Sequence, residues 1–216
     1  MFASIRRYRL TRGFVEDLAQ RVDDGFAEEI QMQPGFISYE LIDCGDGDVM
    51  TISIFGESVQ AEASRELAQR WTRENLKDLG LERTEALRGA VLVSRARDVM
   101  LEPGHPDAAE RFASVRRYML RAGAVAELMH VVDEVFADSV QELDGFEAYH
   151  ALDCGHGVIM SISLFRDQSS AEDSDEQALR FVGEYLNAFD IERTEVLAGE
   201  VMVSRARAGL LEPAHV

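Results

Sequence analysis

"IDCGDGDVMTISIF", residues 42–55, returns further along as "LDCGHGVIMSISLF", residues 152–165. Each copy reads as a strand, a glycine-rich turn and a second strand. The tip changes from Asp46 to His156, while a glycine stays on either side of it. Those glycines permit the positive φ that a tight hairpin requires. The match extends well beyond the hairpin at a constant offset of 110 residues, Cys44 to Cys154. It aligns Phe2-Ala3-Ser4 with Phe112-Ala113-Ser114 and Arg6-Arg7-Tyr8 with Arg116-Arg117-Tyr118. "ERTE" at 82–85 returns at 192–195, "VSRAR" at 93–97 at 203–207, and "LEPGH" at 101–105 as "LEPAH" at 211–215. No gap is needed and nearly half of the paired positions are identical, the signature of a tandem duplication.

Each repeat has the same internal order. Residues 3–10 suit a strand. Phe14, Leu18, Val22, Phe26 and Ile30 then recur every four residues, which predicts one face of a helix over about 13–32. The twin stripe is Val125, Leu128, Val132, Phe136 and Val140. Pro34-Gly35 and Asp144-Gly145 end these helices. Strands are expected at 36–43 and 48–56, a second helix at 60–79 and a last strand at 84–96. The order β-α-β-β-α-β is the ferredoxin-like arrangement, an antiparallel sheet with both helices on one face. "MTISIF" and "VLVS" are apolar on both alternating faces, so both faces of the sheet should be covered. The expected fold is α+β: two tandem ferredoxin-like units, 1–105 and 112–216, forming a dimeric α+β barrel within one chain, their sheets facing each other. The linker shrinks to 106–111, because "LLEPAH" repeats "MLEPGH" where no linking is required. Both segments should therefore be ordered and occupy equivalent places.

At 216 residues with 46% hydrophobic content, the chain can build a sizeable core. No apolar run reaches membrane-spanning length, and "MFASIRRYRL" lacks the apolar stretch of a signal peptide. Net charge is −18, with Lys77 the one lysine. Nucleic-acid binding needs a basic face, so that partner class is excluded. Cys44 and Cys154 make neither a disulfide framework nor a metal set, and free thiols in a reducing cytoplasm are expected.

"ASIRRYRL…PGFISYELIDCGDG…TISIF…EAS…LAQRWTRENL…GAVLVSRA" resembles the antibiotic biosynthesis monooxygenase-like (ABM) domain of the dimeric α+β barrel superfamily, once per repeat. The resemblance implies the fold above and a small aromatic substrate between helices and sheet. It implies oxygenation of quinol-like or polyketide aromatics without a cofactor, or haem degradation, or no catalysis. Haem-degrading relatives use a strand Asn, a helix Trp and a helix His. Here Trp71 matches the Trp, but strand one carries Arg6, Arg7 and Tyr8, and no histidine lies in 60–80. No cofactor and no metal is expected.

Several residues invite a functional reading beside a plain one. Tyr39, Trp71 and Asn75 would line a pocket, with Tyr149 as the twin of Tyr39; a Trp on an apolar stripe is equally a core residue. His150, in place of Glu40, is the candidate general base near a bound phenol, or else a buried strand residue. Arg6, Arg7, Arg95 and Arg97 recur as Arg116, Arg117, Arg205 and Arg207. They would hold an anionic substrate, with Arg7 the foremost candidate, or pair with carboxylates. Asp43, Asp46 and Asp48 lack the spacing of a calcium loop and read as an exposed turn. The halves should differ as sites. Phe181, Tyr185 and Phe189 are expected to fill the second cavity and to leave the first, with Trp71, Asn75 and Leu79, more open. Two function classes remain: a cofactor-independent monooxygenase acting on a small aromatic hydroxyl compound, and a non-catalytic ligand-binding or structural barrel. Self-association beyond the intrachain pair is left open.

Overall fold

The computed structural model describes residues 1–106 and 111–216. Most of the expected linker lies outside the described residues. The first repeat forms β1 (Phe2–Leu10), helix α1 (residues 15–31), β2 (Phe36–Asp43), β3 (Asp48–Phe55), α2 (Ser58–Asn75) and β4 (Leu81–Ala96). The second forms β5 (Phe112–Ala122), α3 (residues 125–141), β6 (Phe146–Asp153), β7 (Val158–Phe165), α4 (Gln168–Tyr185) and β8 (Asp190–Ala206). The fold class is α+β, and the strands are hydrogen-bonded in the order β1-β3-β2-β8-β5-β7-β6-β4, that of a closed dimeric α+β barrel.

The hairpin follows the glycine logic. Gly45, Asp46 and Gly47 all have positive φ (83°, 52°, 77°), as do Gly155, His156 and Gly157 (80°, 53°, 78°). Asp43 Oδ1 accepts the Gly45 N–H at 2.9 Å, and Asp153 Oδ1 accepts that of Gly155 at 2.8 Å. This is an Asx turn, and it accounts for the repeated Asp-Cys-Gly.

Helix α1 departs from the expected continuous α-helix. It is α-helical over Val15–Arg21, π-helical over Val22–Phe26 and α-helical again over Ala27–Gln31. In α3 the same three segments are Val125–Val131, Val132–Ala137 and Asp138–Gln141. Apolar residues spaced strictly by four drift about 40° per step around an α-helix. A wider π turn absorbs that drift and keeps Leu18, Val22, Phe26 and Ile30 on one buried face. Phe14, expected on the same stripe, instead precedes the helix and is 73% exposed. Helix α2 stops at Asn75, short of the expected residue 79, because the Asn75 amide donates to the Trp71 carbonyl at 2.9 Å and the chain turns at Leu76. Leu76 and Leu79 remain buried after the turn.

The compact units are not simply the two repeats. Unit 1 comprises Met1–Arg88, residues 100–106 and Gly199–Leu210; unit 2 comprises Gly89–Val99, residues 111–198 and Leu211–Val216. Each long last strand changes unit at a glycine. In unit 1, β2 pairs antiparallel with the second half of β8, Ser38 opposite Ala206 and Asp43 opposite Glu200. In unit 2, β6 pairs in the same way with the second half of β4, Ala148 opposite Ala96 and Asp153 opposite Ala90. The LEP segments occupy equivalent places. Gly104 bridges Ser204 in unit 1, and Ala214 bridges Ser94 in unit 2.

The core of unit 1 packs Leu18, Val22, Phe26 and Ile30 of α1 and Leu67, Ala68 and Trp71 of α2 on Tyr39, Leu41, Val49 and Phe55, with Met202 and Val203 from β8. The core of unit 2 repeats this with Leu128, Val132, Phe136, Ala178 and Phe181 on Tyr149, Ala151, Ile159 and Phe165, and Val93 from β4.

The unit-changing glycines are fixed by close approach. A Cβ on Gly89 would stand 2.8 Å from the Asp153 carbonyl oxygen, and one on Gly199 would collide with that of Asp43. Gly199→Ala should therefore lower unfolding free energy by about 1–3 kcal/mol. Gly183→Ala, on the exposed side of α4 with open space around it, should raise it by about 0.5–1 kcal/mol. Urea denaturation of the two variants and the parent checks both signs.

Candidate functional site

Each unit holds a cavity between its helices and its sheet. In unit 1, β1 contributes Arg6 and Tyr8, β2 Tyr39 and Leu41, β3 Val49 and Thr51, α1 Leu18, Val22 and Phe26, and α2 Ala68, Trp71 and Thr72. Leu76 and Leu81 complete a space of about 400 Å³, part of it open to solvent. In unit 2 a space of about 390 Å³ is bounded by Tyr118, Tyr149, Ala151, Ile159, Ser161, Leu128, Met129, Val132, Phe136, Ala178, Phe181, Val182, Leu186 and Ile191. The expectation that larger aromatics fill the second cavity is not met. Tyr185 is 49% exposed and stacks flat on the outside of Phe181 at 5.6 Å.

Aromatic rings form one wall of each cavity. Phe26 meets Tyr39 edge-on and Trp71 at a tilt, both with centroids 5.4 Å apart. Phe136 meets Tyr149 at 5.3 Å and Phe181 at 5.0 Å in the same arrangement. The π turns set Phe26 and Phe136 in these positions. The indole is accommodated by Gly25, where a Cβ would stand 3.0 Å from Trp71 Cζ2; its twin, Val135, accompanies the smaller Phe181. Burial pushes the phenols of Tyr8, Tyr39, Tyr118 and Tyr149 up, so they stay protonated at neutral pH.

Of the residues singled out in the sequence, Tyr39 and Trp71 line the first cavity and Tyr149 the second. Asn75 caps its helix and is outside the lining. Arg7 is also outside it and pairs with Asp48 at 3.0 Å, an acid it shares with Arg9. His150 sits between the cavity-facing Tyr149 and Ala151, and strand alternation turns it to the opposite face of β6. There it is buried, with Nδ1 3.0 Å from the Ser94 hydroxyl, and burial pushes it down to about 4.

The recurrent arginines divide sharply. Arg205 pairs with Asp23, which also receives His105 Nδ1 at 2.7 Å. In unit 2, Arg95 pairs with Asp133 at 2.6 Å, joined by His215 and the Val216 N–H. Burial pushes Asp133 up, but the Arg95 hydrogen bond and charge, together with the Val216 N–H, outweigh this and hold it below the usual carboxylate range. Both aspartates lie in π turns, so these ties fasten the LEP segments to the helices. Arg97 and Arg207 lie over the Phe146 and Phe36 rings and donate to helix-end carbonyls.

Arg6 and Arg116 are the pair that sequence reading grouped together and structure separates. Arg116 is fully buried and fully used: Nε meets Asp175 Oδ1 at 2.5 Å, Nη1 donates to the Ser163 hydroxyl at 3.0 Å and Nη2 to that of Ser174. Arg6 is 3% exposed, and its Nη2 is buried with no hydrogen-bond partner. Ser53 and Ser64 stand where Ser163 and Ser174 do, but position 65 is Arg in place of Asp175. Arg65 turns out to Glu62 at 3.0 Å. Burial and the neighbouring Arg83 and Arg65 charges depress the Arg6 pKa. The clue available beforehand was this charge reversal between aligned repeat positions.

Three solved structures share the fold over nearly the whole chain. A candidate monooxygenase from Fusobacterium nucleatum subsp. nucleatum superposes with a TM-score of 0.69 at 6% identity, covering 95% of this chain and 94% of that one. An anthrone oxidase-like protein gives 0.60 at 11% identity over 96% and 94%. A candidate monooxygenase from Lactobacillus acidophilus gives 0.63 at 11% over 95% and 97%. No protein-family model and no curated protein sequence matches the chain. The chain is therefore a monooxygenase-like α+β barrel in fold. No helix among the described residues is long and apolar enough to cross a membrane.

The buried His150 has a measurable signature. Its folded pKa, about 4, lies below the ordinary 6.5, so the unfolded chain binds the extra proton and its stabilising contribution is lost as pH falls from about 6.5 towards 4. The full loss is about 3 kcal/mol. His150→Gln should flatten the decline in unfolding free energy between pH 7 and 4 by that order, as read from denaturation at each pH.

Proposed function

We propose that the protein is a small-molecule monooxygenase that oxidises an aromatic hydroxyl compound with O₂, each unit carrying a site. The aromatic-walled cavity between helices and sheet in each unit carries this reading. A flat ring placed beside Phe26, Tyr39 and Trp71 would meet them in the offset and edge-on contacts that aromatics prefer. The reaction class needs no external reductant. A phenol with hydrogen on the carbon para to its hydroxyl reacts with one O₂ to give a quinone and one water. An anthrone methylene likewise becomes a carbonyl and releases one water. All four electrons come from the substrate, through its carbanion. The chain's part is to hold the ring in one orientation against the aromatic wall and, in unit 1, to favour the deprotonated form through the Arg6 guanidinium. No resident metal or flavin enters this scheme. The name of the anthrone oxidase-like neighbour is consistent with it.

A second reading is favoured by the lining itself. Neither cavity is lined by an imidazole or a carboxylate among the described residues, and His150 faces away. On this reading the barrel binds an aromatic compound without transforming it.

Oxygen uptake across a panel of anthrones and of phenols with hydrogen para to the hydroxyl, with catalase added to reveal any H₂O₂, separates the two. The expected result is one O₂ consumed per quinone formed, with Trp71→Ala and Phe181→Ala each lowering kcat/KM about tenfold or more at its own site. Binding detected by calorimetry with no O₂ uptake for any member of the panel would reject catalysis and leave the binding module.

A further inference from the structure

We infer that the two cavities accept ligands of different charge: the unit 1 cavity is a site for an aromatic anion, an aryl carboxylate or phenolate held by Arg6, and the unit 2 cavity takes uncharged aromatics. The inference rests on the cavities being ligand sites, as proposed above, and does not depend on oxygenation.

Three observations carry it. Arg6 is a wall residue of its cavity, nine-tenths or more buried, with Nη2 unpartnered. A buried guanidinium without a counter-charge is costly, and an incoming anionic oxygen removes that cost with a charge-assisted hydrogen bond. The lining beside it contains no carboxylate to compete, and the charged residues that act on Arg6, Arg83 and Arg65, are also positive. In unit 2 the same guanidinium is neutralised by Asp175 and the two serines and is absent from the cavity wall. Arg193, whose Nη1 is unpartnered too, is only half-buried and stands outside that lining. One exchange, Arg65 against Asp175, therefore sets the charge of each site. Rings with the anionic group at one end suit the geometry: the ring lies on Phe26 and Trp71, and the oxygen reaches Arg6.

Trp71 is the chain's one tryptophan and reports on unit 1 alone. The test uses 2-naphthoate and its neutral isostere 2-naphthamide, with 2-naphthol titrated below and above its own pKa as the phenolate arm. Trp71 fluorescence is followed, with calorimetry counting sites. Naphthoate should quench Trp71 and bind there at least tenfold more tightly than naphthamide. Arg6→Gln should erase that preference. Arg65→Asp, which alters no cavity wall, should erase it too and raise the thermal midpoint by giving Arg6 the partner that Arg116 has. A naphthol response confined to high pH, lost in Arg65→Asp, assigns phenolates; naphthoate binding alone assigns carboxylates. Equal affinity for naphthoate and naphthamide in the parent, or a preference that survives Arg65→Asp in a folded protein, overturns the inference while leaving both cavities as ligand sites. Naphthoate binding without O₂ uptake upholds it and removes only catalysis. No binding of any naphthalene overturns both.

Discussion

Every feature of either unit depends on one pairing: the inner edge strand of each repeat is completed by a strand half encoded in the other repeat. β2 finds its second neighbour in residues 200–206 and β6 finds its own in residues 90–96. An unpaired strand edge would expose a row of backbone donors and acceptors. Here the edge is closed, and the strand that closes it brings Val203 or Val93 into the core and Arg205 or Arg95 to a buried aspartate. The glycines at 89 and 199 exist because the chain passes directly over a carbonyl of the neighbouring strand as it changes unit. The LEP segments follow from the same arrangement, since Gly104 and Ala214 bridge serines on those exchanged strand halves.

Among the described residues, most buried arginines are paired with a carboxylate, and this gives Arg6 its meaning. Asp23 with Arg205, Asp133 with Arg95, and Arg111 with Glu147 are buried pairs of opposite sign, and the buried Arg116 meets a half-buried Asp175. Removing one member of such a pair leaves the other desolvated, which is far costlier than never having had it. A chain that keeps four such pairs and leaves Arg6 with an unpartnered nitrogen has a charged cavity in one unit and a neutral one in the other, on scaffolds that otherwise superimpose in sequence and ring geometry.

The architecture was legible because duplication tests itself: helical and strand periodicities that agree at an offset of 110 are not accidents of one window. The hairpin tips, the 36–43 strand and the helix stripes were readable from local chemistry. What was not readable depended on distant residues. A stripe spaced by four does not announce whether the helix drifts or inserts a π turn. A strand sixteen residues long does not say where it stops serving one unit and begins serving the next. Tyr39, Trp71 and Tyr149 were found as cavity residues because aromatic positions repeat. Asn75 and Arg7 were misplaced relative to the lining because neighbouring positions on a helix end or a strand point in different directions, and Arg6 rather than Arg7 faces inward. His150 drew notice as an imidazole, but alternation along β6 puts it on the other face.

The exchanged strand also sets a clock on synthesis. The first hundred residues leave the ribosome with helices, hairpin and most of a core, but the partner of β2 is made only near residue 206. Until then the N-terminal unit must wait with an open strand edge, and its closing contacts join residues more than 150 positions apart, as Ser38 and Ala206 are. Contacts of that separation close slowly, and during the wait an open edge is exposed to pairing with other nascent chains. Folding of the two units is therefore coupled: a strand half made after most of the second repeat completes the first unit begun.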